Sequence, residues 1–165
     1  MRIKAAQATT IAAGVLVLDQ ASKGLVLANL EPGQVIEVLP FFNLVLVWNR
    51  GVSFGLFSQL GAALPWVLVA IALLVIGLLL LWFRREQALW PRLAIALVLG
   101  GAGGNVLDRI RFGAVVDFLD FHLGDWHWPA FNLADTAVVC GAAVLLLENL
   151  LPRTHLVRST GRNGS

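Results

Sequence analysis

Residues Ala62 to Phe83 read AALPWVLVAIALLVIGLLLLWF, a run without one charged side chain that Arg84 and Arg85 close. At 1.5 Å per residue, about 20 such residues carry a helix across the hydrocarbon core of a bilayer. The run therefore reads as a membrane span. Working outward from it, a third span is expected from about Trp90 to Asp108. A fourth is expected from about Asn132 to Leu151, ended by Pro152, and a first from about Ala6 to Leu30 with polar groups in its second half. Met1-Arg2-Ile3-Lys4 before an apolar run has the look of a signal peptide. Asp19 and Lys23 interrupt that run, it outlasts an h-region, and no small-x-small cleavage site follows, so it reads as a retained span. The expected domain is a single integral membrane unit over 1–165.

Composition points the same way. Of 165 residues, 58% are hydrophobic and 13% charged, with a mean hydropathy of +0.80; a soluble domain carries about 25% charged residues. The net charge of +2 is too small and too scattered for nucleic-acid binding. One cysteine excludes an internal disulfide and a thiolate zinc site. His122, His127 and His155 form no metal-ligand pattern, so no metal is expected.

Basic residues set a direction. One side collects Arg2, Lys4, Arg84, Arg85, Arg92, Arg153, Arg158 and Arg162; the other has Arg50, Arg109 and Arg111. By the positive-inside rule both termini are expected in the cytoplasm. The two outer segments are more than connectors. Val35-Ile36-Glu37-Val38 and Leu44-Val45-Leu46-Val47-Trp48 have the length and β-branched content of strands, with Pro40 between them. The fold class expected is an all-α membrane protein of four transmembrane helices, with a small β-sheet and a short helix on the outer face. Phe41, Phe42, Trp48, Trp126 and Trp128 suit the interface. The polar tail, 157–165, is expected to be disordered.

Polar groups inside spans are costly and need a reason. Asp19 and Lys23, at i and i+4, share a helix face and read as a structural ion pair. Gly100 and Gly104 form a GxxxG pair that admits a neighbouring helix, and Asn105, Asp108 and Arg109 follow. Asn132 and Asp135 share a face at i, i+3. All of these fall at the outer ends of their helices. Plainer readings stand beside them: Asp135 as a cap of the fourth helix, Asp108-Arg109 as a helix end at the headgroups, Asp120 and Asp125 as solvated loop acids, Cys140 as a packing residue. Asp117 is harder to dismiss, because Val115-Val116-Asp117-Phe118-Leu119 is apolar and offers no adjacent base. Asp117 and Asp135, brought together in a low-dielectric site, cannot both ionise and would share a proton, as in aspartic proteases. A proton-coupled carrier would instead place charges along a path at mid-depth. A non-catalytic subunit would use the same groups only to pack helices.

Five motifs in order resemble one family, the bacterial lipoprotein signal peptidases (signal peptidase II). Asp19-Gln20-Ala21-Ser22-Lys23 resembles its first-helix motif and Asn49-Arg50-Gly51-Val52-Ser53-Phe54 its Asn-x-Gly motif. Gly103-Gly104-Asn105-Val106-Leu107-Asp108-Arg109 resembles its third-helix motif. Val116-Asp117-Phe118 and Phe131-Asn132-Leu133-Ala134-Asp135 resemble the two that hold its catalytic aspartates. The resemblance implies an aspartic endopeptidase of the bacterial inner membrane, acting near the outer face without a cofactor. Its substrate would be a diacylglyceryl-modified prolipoprotein, cut just before the lipidated cysteine. It further implies Asp117 and Asp135 as catalytic, with Asn49, Gly51, Asn105, Arg109, Asn132 and Ala134 binding substrate or supporting the pair. Membrane lipids and globomycin-type inhibitors are the other partners implied, with a monomer as the working unit. Gly51 to Phe57 is expected to close over substrate as a lid.

Overall fold

A computed structural model of the chain describes residues 3–51 and 58–150. Residues 52–57 of the expected lid, and the tail 157–165, lie outside the described residues. Four helices dominate: α1 Ala5–Asn29, α2 Leu64–Arg85, α3 Leu89–Phe112 and α4 Leu133–Leu150. By length and composition all four can cross a membrane. A short 3-10 helix, Ser58–Ala63, leads into α2.

Helix α3 is the hub. Half of its apolar window is buried, against 11–17% for the other three helices, and α1, α2 and α4 each pack on it. Glycine makes those approaches possible. A side chain at Gly100 would meet the Ala12 carbonyl and Val15 of α1; one at Gly101 would meet the Ala134 carbonyl of α4. Gly141 of α4 sits equally close to Ala94 and Val98. Small residues thus clear the approach of α1 on one side of α3 and of α4 on another. Helix α2 buries least, and its Ile71, Leu74, Leu78 and Leu81 are exposed, as suits side chains solvated by lipid.

The sheet is larger than expected. Strands β1 Val35–Leu39 and β2 Phe42–Asn49 cover the two runs read from the sequence. Two more, β3 Val115–Leu123 and β4 Trp126–His127, come from the segment between α3 and α4. All pair antiparallel in the order β1-β2-β3-β4. The C-terminal end of α1 packs beneath this sheet, where Val26 and Leu30 join Leu46, Val116 and Phe118 in a core cluster.

Three local features aim the sheet at the helix ends. Gly113 ends α3 with a φ of 68°, left-handed backbone that glycine adopts without a Cβ penalty, and its N–H donates to the Arg109 carbonyl. The chain turns there straight into β3. Val47 then pairs with Asp117 across β2 and β3. Finally, Phe131 bridges to Leu119, its N–H donating to the Leu119 carbonyl at 3.1 Å and its carbonyl accepting from Leu119 at 2.8 Å. That bridge pins the start of α4 beside β3, which brings Asn132 and Asp117 together.

Candidate active site

Asp117 is buried, with 1% of its surface exposed. Both of its oxygens accept hydrogen bonds from amides: Oδ1 from Asn132 Nδ2 at 2.7 Å and Oδ2 from Asn49 Nδ2 at 2.9 Å. Asn49 is itself held, because its Oδ1 accepts from the Gly51 N–H at 2.8 Å. Gly51 sits at φ 81°, and a side chain there would strike Leu68. The Asn-x-Gly spacing is thus a turn that points an amide at Asp117 and lets the backbone pass close to α2. Burial pushes the Asp117 carboxyl up to about 6. The charge of Asp135 adds to that rise, while the Asn49 and Asn132 hydrogen bonds and Lys23 oppose it.

Asp135 is only half-buried and belongs to a capping box. Asn132 Oδ1 accepts from the Asp135 N–H at 2.9 Å, and Asp135 Oδ2 accepts from the Asn132 N–H at 3.2 Å. Its other oxygen accepts from Asn105 Nδ2 at 2.7 Å. The plain reading of Asp135 as a helix cap therefore holds, and so does its place in the cluster; the cap is what fixes the carboxylate. Asn132, fully buried, touches both sides: its side-chain amide reaches Asp117, the Val116 carbonyl and Asn105 Oδ1.

Beneath this pair lies a buried charge network. Lys23 Nζ donates to Asp19 at 2.9 Å, to Asp108 at 2.8 Å and to Asn105 Oδ1 at 3.1 Å, so each of its three hydrogens has an acceptor. By claiming the oxygen of Asn105, Lys23 leaves the Asn105 NH₂ facing Asp135. Asp19 Oδ1 accepts from the Ala134 N–H at 3.0 Å, an orphan donor of the first turn of α4. Asp108 Oδ2 accepts from the Val116 N–H next to Asp117 at 3.2 Å. Gln20 adds bonds to Asp108 and Asp19. Asp19 and Lys23 do form an ion pair, and Asp108 is its third member rather than a helix end at the headgroups.

Arg109 completes the cluster differently. Its Nη1 donates to the Asn105 carbonyl at 3.3 Å, its Nε is buried without a partner among the described residues, and it lies within electrostatic range of Asp135, Asp117 and Asp108. Gly104 and Ala134 serve by being small: a side chain at Gly104 would meet the Asp19 carboxylate and the Ala134 methyl. An apolar cavity of about 270 Å³, lined by Trp128, Phe131, Thr136 and Val139, opens beside Asp135. Cys140, read from the sequence as a packing residue, borders it and is exposed.

Asp120 corrects a second expectation. It is buried on β3, not a solvated loop acid, with Asn43 Nδ2 at 3.0 Å and His127 Nδ1 at 2.9 Å. Burial raises its carboxyl, but the hydrogen bonds of His127 and Asn43 outweigh that and leave it below its ordinary value. Gln20 and Asp120 were the partners missed in the sequence. Gln20 adjoins Asp19 on a helix, and Asp120 stands among Phe118, Leu119 and Phe121, an apolar setting that was the available signal.

A family model described as signal peptidase (SPase) II matches residues 11–151. A lipoprotein signal peptidase of Methylobacterium sp. (strain 4-46) is 46% identical over 141 residues, covering 84% of this chain and 86% of its own length. One from Azoarcus sp. (strain BH72) is 46% identical over 147 residues, covering 88% and 83%. Among solved structures, a bacterial membrane enzyme determined by the in meso method at 1.9 Å superposes with a TM-score of 0.82 at 28% identity, over 92% of this chain and 97% of its own.

Proposed function

The chain belongs to the signal peptidase II family, and from that premise we propose that it removes the signal peptide of diacylglyceryl-modified prolipoproteins by aspartic chemistry at Asp117 and Asp135. The membership carries the peptidase activity, the prolipoprotein substrate and the multi-pass membrane character. The observation that carries the aspartic reading is the pairing itself: two carboxylates from separate elements, held by three asparagine amides, one of them raised to about 6.

With one proton shared, the ionised member takes a proton from water while the protonated member gives its own to the carbonyl oxygen of the scissile bond. The hydroxide formed adds to the carbonyl carbon, giving a gem-diol. Its collapse breaks the C–N bond, with a proton passing to the departing amine. The two steps belong to the pair as a unit. Asn49, Asn105 and Asn132 spend their donors on the aspartates, so they act as positioning residues. Arg109 donates to neither and is the cation left to meet a substrate carbonyl. Asp19, Lys23 and Asp108 hold the ends of α1, α3 and α4 in register around the pair. The cavity beside Asp135 suits an apolar substrate segment entering sideways from the bilayer. The inner membrane of a bacterium, the outer face for the site, a globomycin-type inhibitor and a monomeric enzyme complete the proposal.

The test is cleavage of a diacylglyceryl-prolipoprotein by the detergent-solubilised protein with EDTA present. Wild type should cleave. Folded Asp117→Asn and Asp135→Asn should each lose at least ~10²-fold, the contribution of one acid–base group. Full activity in both variants would place the chemistry elsewhere.

A further inference from the structure

The end of the bundle remote from the aspartates holds a second built feature. Helices α1 and α2 both pack on α3 but scarcely on each other. Between them runs an open groove of about 560 Å³, its wall formed by Ala8, Ala12 and Ala96 and its mouth by Phe83, Arg84 and Arg92. Ala5 to Ala12 on α1, and Arg92 to Leu99 on α3, each border it over two turns of helix. That is a depth of about 10 Å, within the ~15 Å of one leaflet.

Arg92 is the odd residue there. It is buried, with 7% of its surface exposed. Its guanidinium lies 3.9 Å from the centroid of the Phe83 ring, and Nη1 donates to the Glu86 carbonyl at 2.7 Å. Its Nε has no partner among the described residues. The ion pairs seen between described residues involve Lys23 and His127, and none reaches Arg92. A buried guanidinium with an open donor and no carboxylate on it among the described residues is costly, and an anionic oxygen from outside the protein would offset that cost.

We propose that this groove binds an anionic glycerophospholipid, with the phosphate at Arg92 and Arg84 and the upper part of an acyl chain along the alanine wall. Two features choose the occupant. The wall is apolar and faces the span of the bilayer, which suits an acyl chain and not a free anion. The mouth is doubly cationic, which repels the positively charged n-region of a signal peptide and attracts an acidic headgroup, as basic pockets between spans do. The bound lipid would brace α1 against α2, whose direct contact is slight.

Native mass spectrometry of the full chain in detergent tests this, with phosphatidylglycerol and phosphatidylcholine of identical acyl chains. Wild type should retain phosphatidylglycerol over phosphatidylcholine by about tenfold, the equivalent of one charged contact. Arg92→Gln should bring the ratio near one, Arg92→Lys should keep most of it, and the exposed Arg84→Gln should lower it while leaving cleavage intact. Arg84→Gln decides the question should Arg92→Gln not fold. Equal retention of both lipids in wild type, or a preference that survives Arg84→Gln and Arg92→Gln, overturns the proposal. Binding of glycerol 3-phosphate alone, with the same sensitivity to these variants and no gain from acyl chains, overturns the lipid and leaves an anion site.

Discussion

Asp117 is pulled in two directions, and the balance is measurable. Burial raises its proton affinity, while amides on both oxygens favour the charge. With its carboxyl at about 6, the protonated form fades as pH climbs through that value. Cleavage that needs one proton on the pair should therefore decline above about pH 6, approaching tenfold per unit. Asn49→Ala removes a hydrogen bond that favours the ionised form, so the decline should move to higher pH. A pH–rate profile of kcat/KM for the two proteins checks this, and a limb that stays in place would deny Asp117 that titration. Lys23 is the other residue whose neighbours dictate a result. Replacing it with Met leaves Asp19 and Asp108 buried without a counter-charge, a loss of about 3–5 kcal/mol for a broken buried pair. Thermal unfolding in detergent should show a large fall in Tm; an unchanged Tm would mean that the two carboxylates find other compensation. The sequence already marked these residues, because an acid in Val-Val-Asp-Phe-Leu and an i, i+4 pair in a span are each costly alone. Which amide oxygen faces which donor was beyond it, since Asn105 takes its orientation from Lys23, 82 positions away.

Helix α3 stands or falls on which of its glycines touch a neighbour. Gly101→Ala and Gly104→Ala should each cost roughly 1–3 kcal/mol by overpacking, since the added methyl meets the Ala134 carbonyl in one case and the Asp19 carboxylate in the other. Gly103→Ala is the control, with only Leu16 at 3.9 Å and room to spare. Equal Tm values for all three would remove close packing as the reason for this glycine cluster. Gly104→Ala should also cut cleavage, because moving Asp19 frees the first turn of α4 that carries Asp135. The helices were legible because predominantly apolar runs of this length satisfy their backbone in a bilayer by coiling into helices. Strands β1 and β2 showed in their β-branched residues. Strand β3 was missed for a physical reason: it is buried on both faces along Val115–Asp120, so its acids do not alternate with apolar residues in the usual half-exposed way. Asp120 made it look like a loop, yet both it and Asp117 are stable there because Asn49, Asn132, Asn43 and His127 reach them from other elements.

At the scale of the whole molecule, charge and connectivity argue for one orientation. Lys4 precedes α1, Arg84 and Arg85 end α2, and Arg92 begins α3; the antiparallel path of the helices gathers all four at one end of the bundle. Arg50, Arg109 and Arg111 fall at the other end with the sheet and the aspartates. Retaining basic residues in the cytoplasm would put the sheet outside, the orientation proposed above, and the exposed Phe41, Trp126 and Trp128 at that end would then suit the headgroup layer. In a Cys140→Ser background, Asp125→Cys reports the β3–β4 turn and Gln87→Cys the α2–α3 turn, both exposed positions. A charged, membrane-impermeant maleimide applied to spheroplasts should label position 125 at once and position 87 only after the membrane is opened. The reverse pattern would turn the aspartates towards the cytoplasm and overturn the proposed orientation.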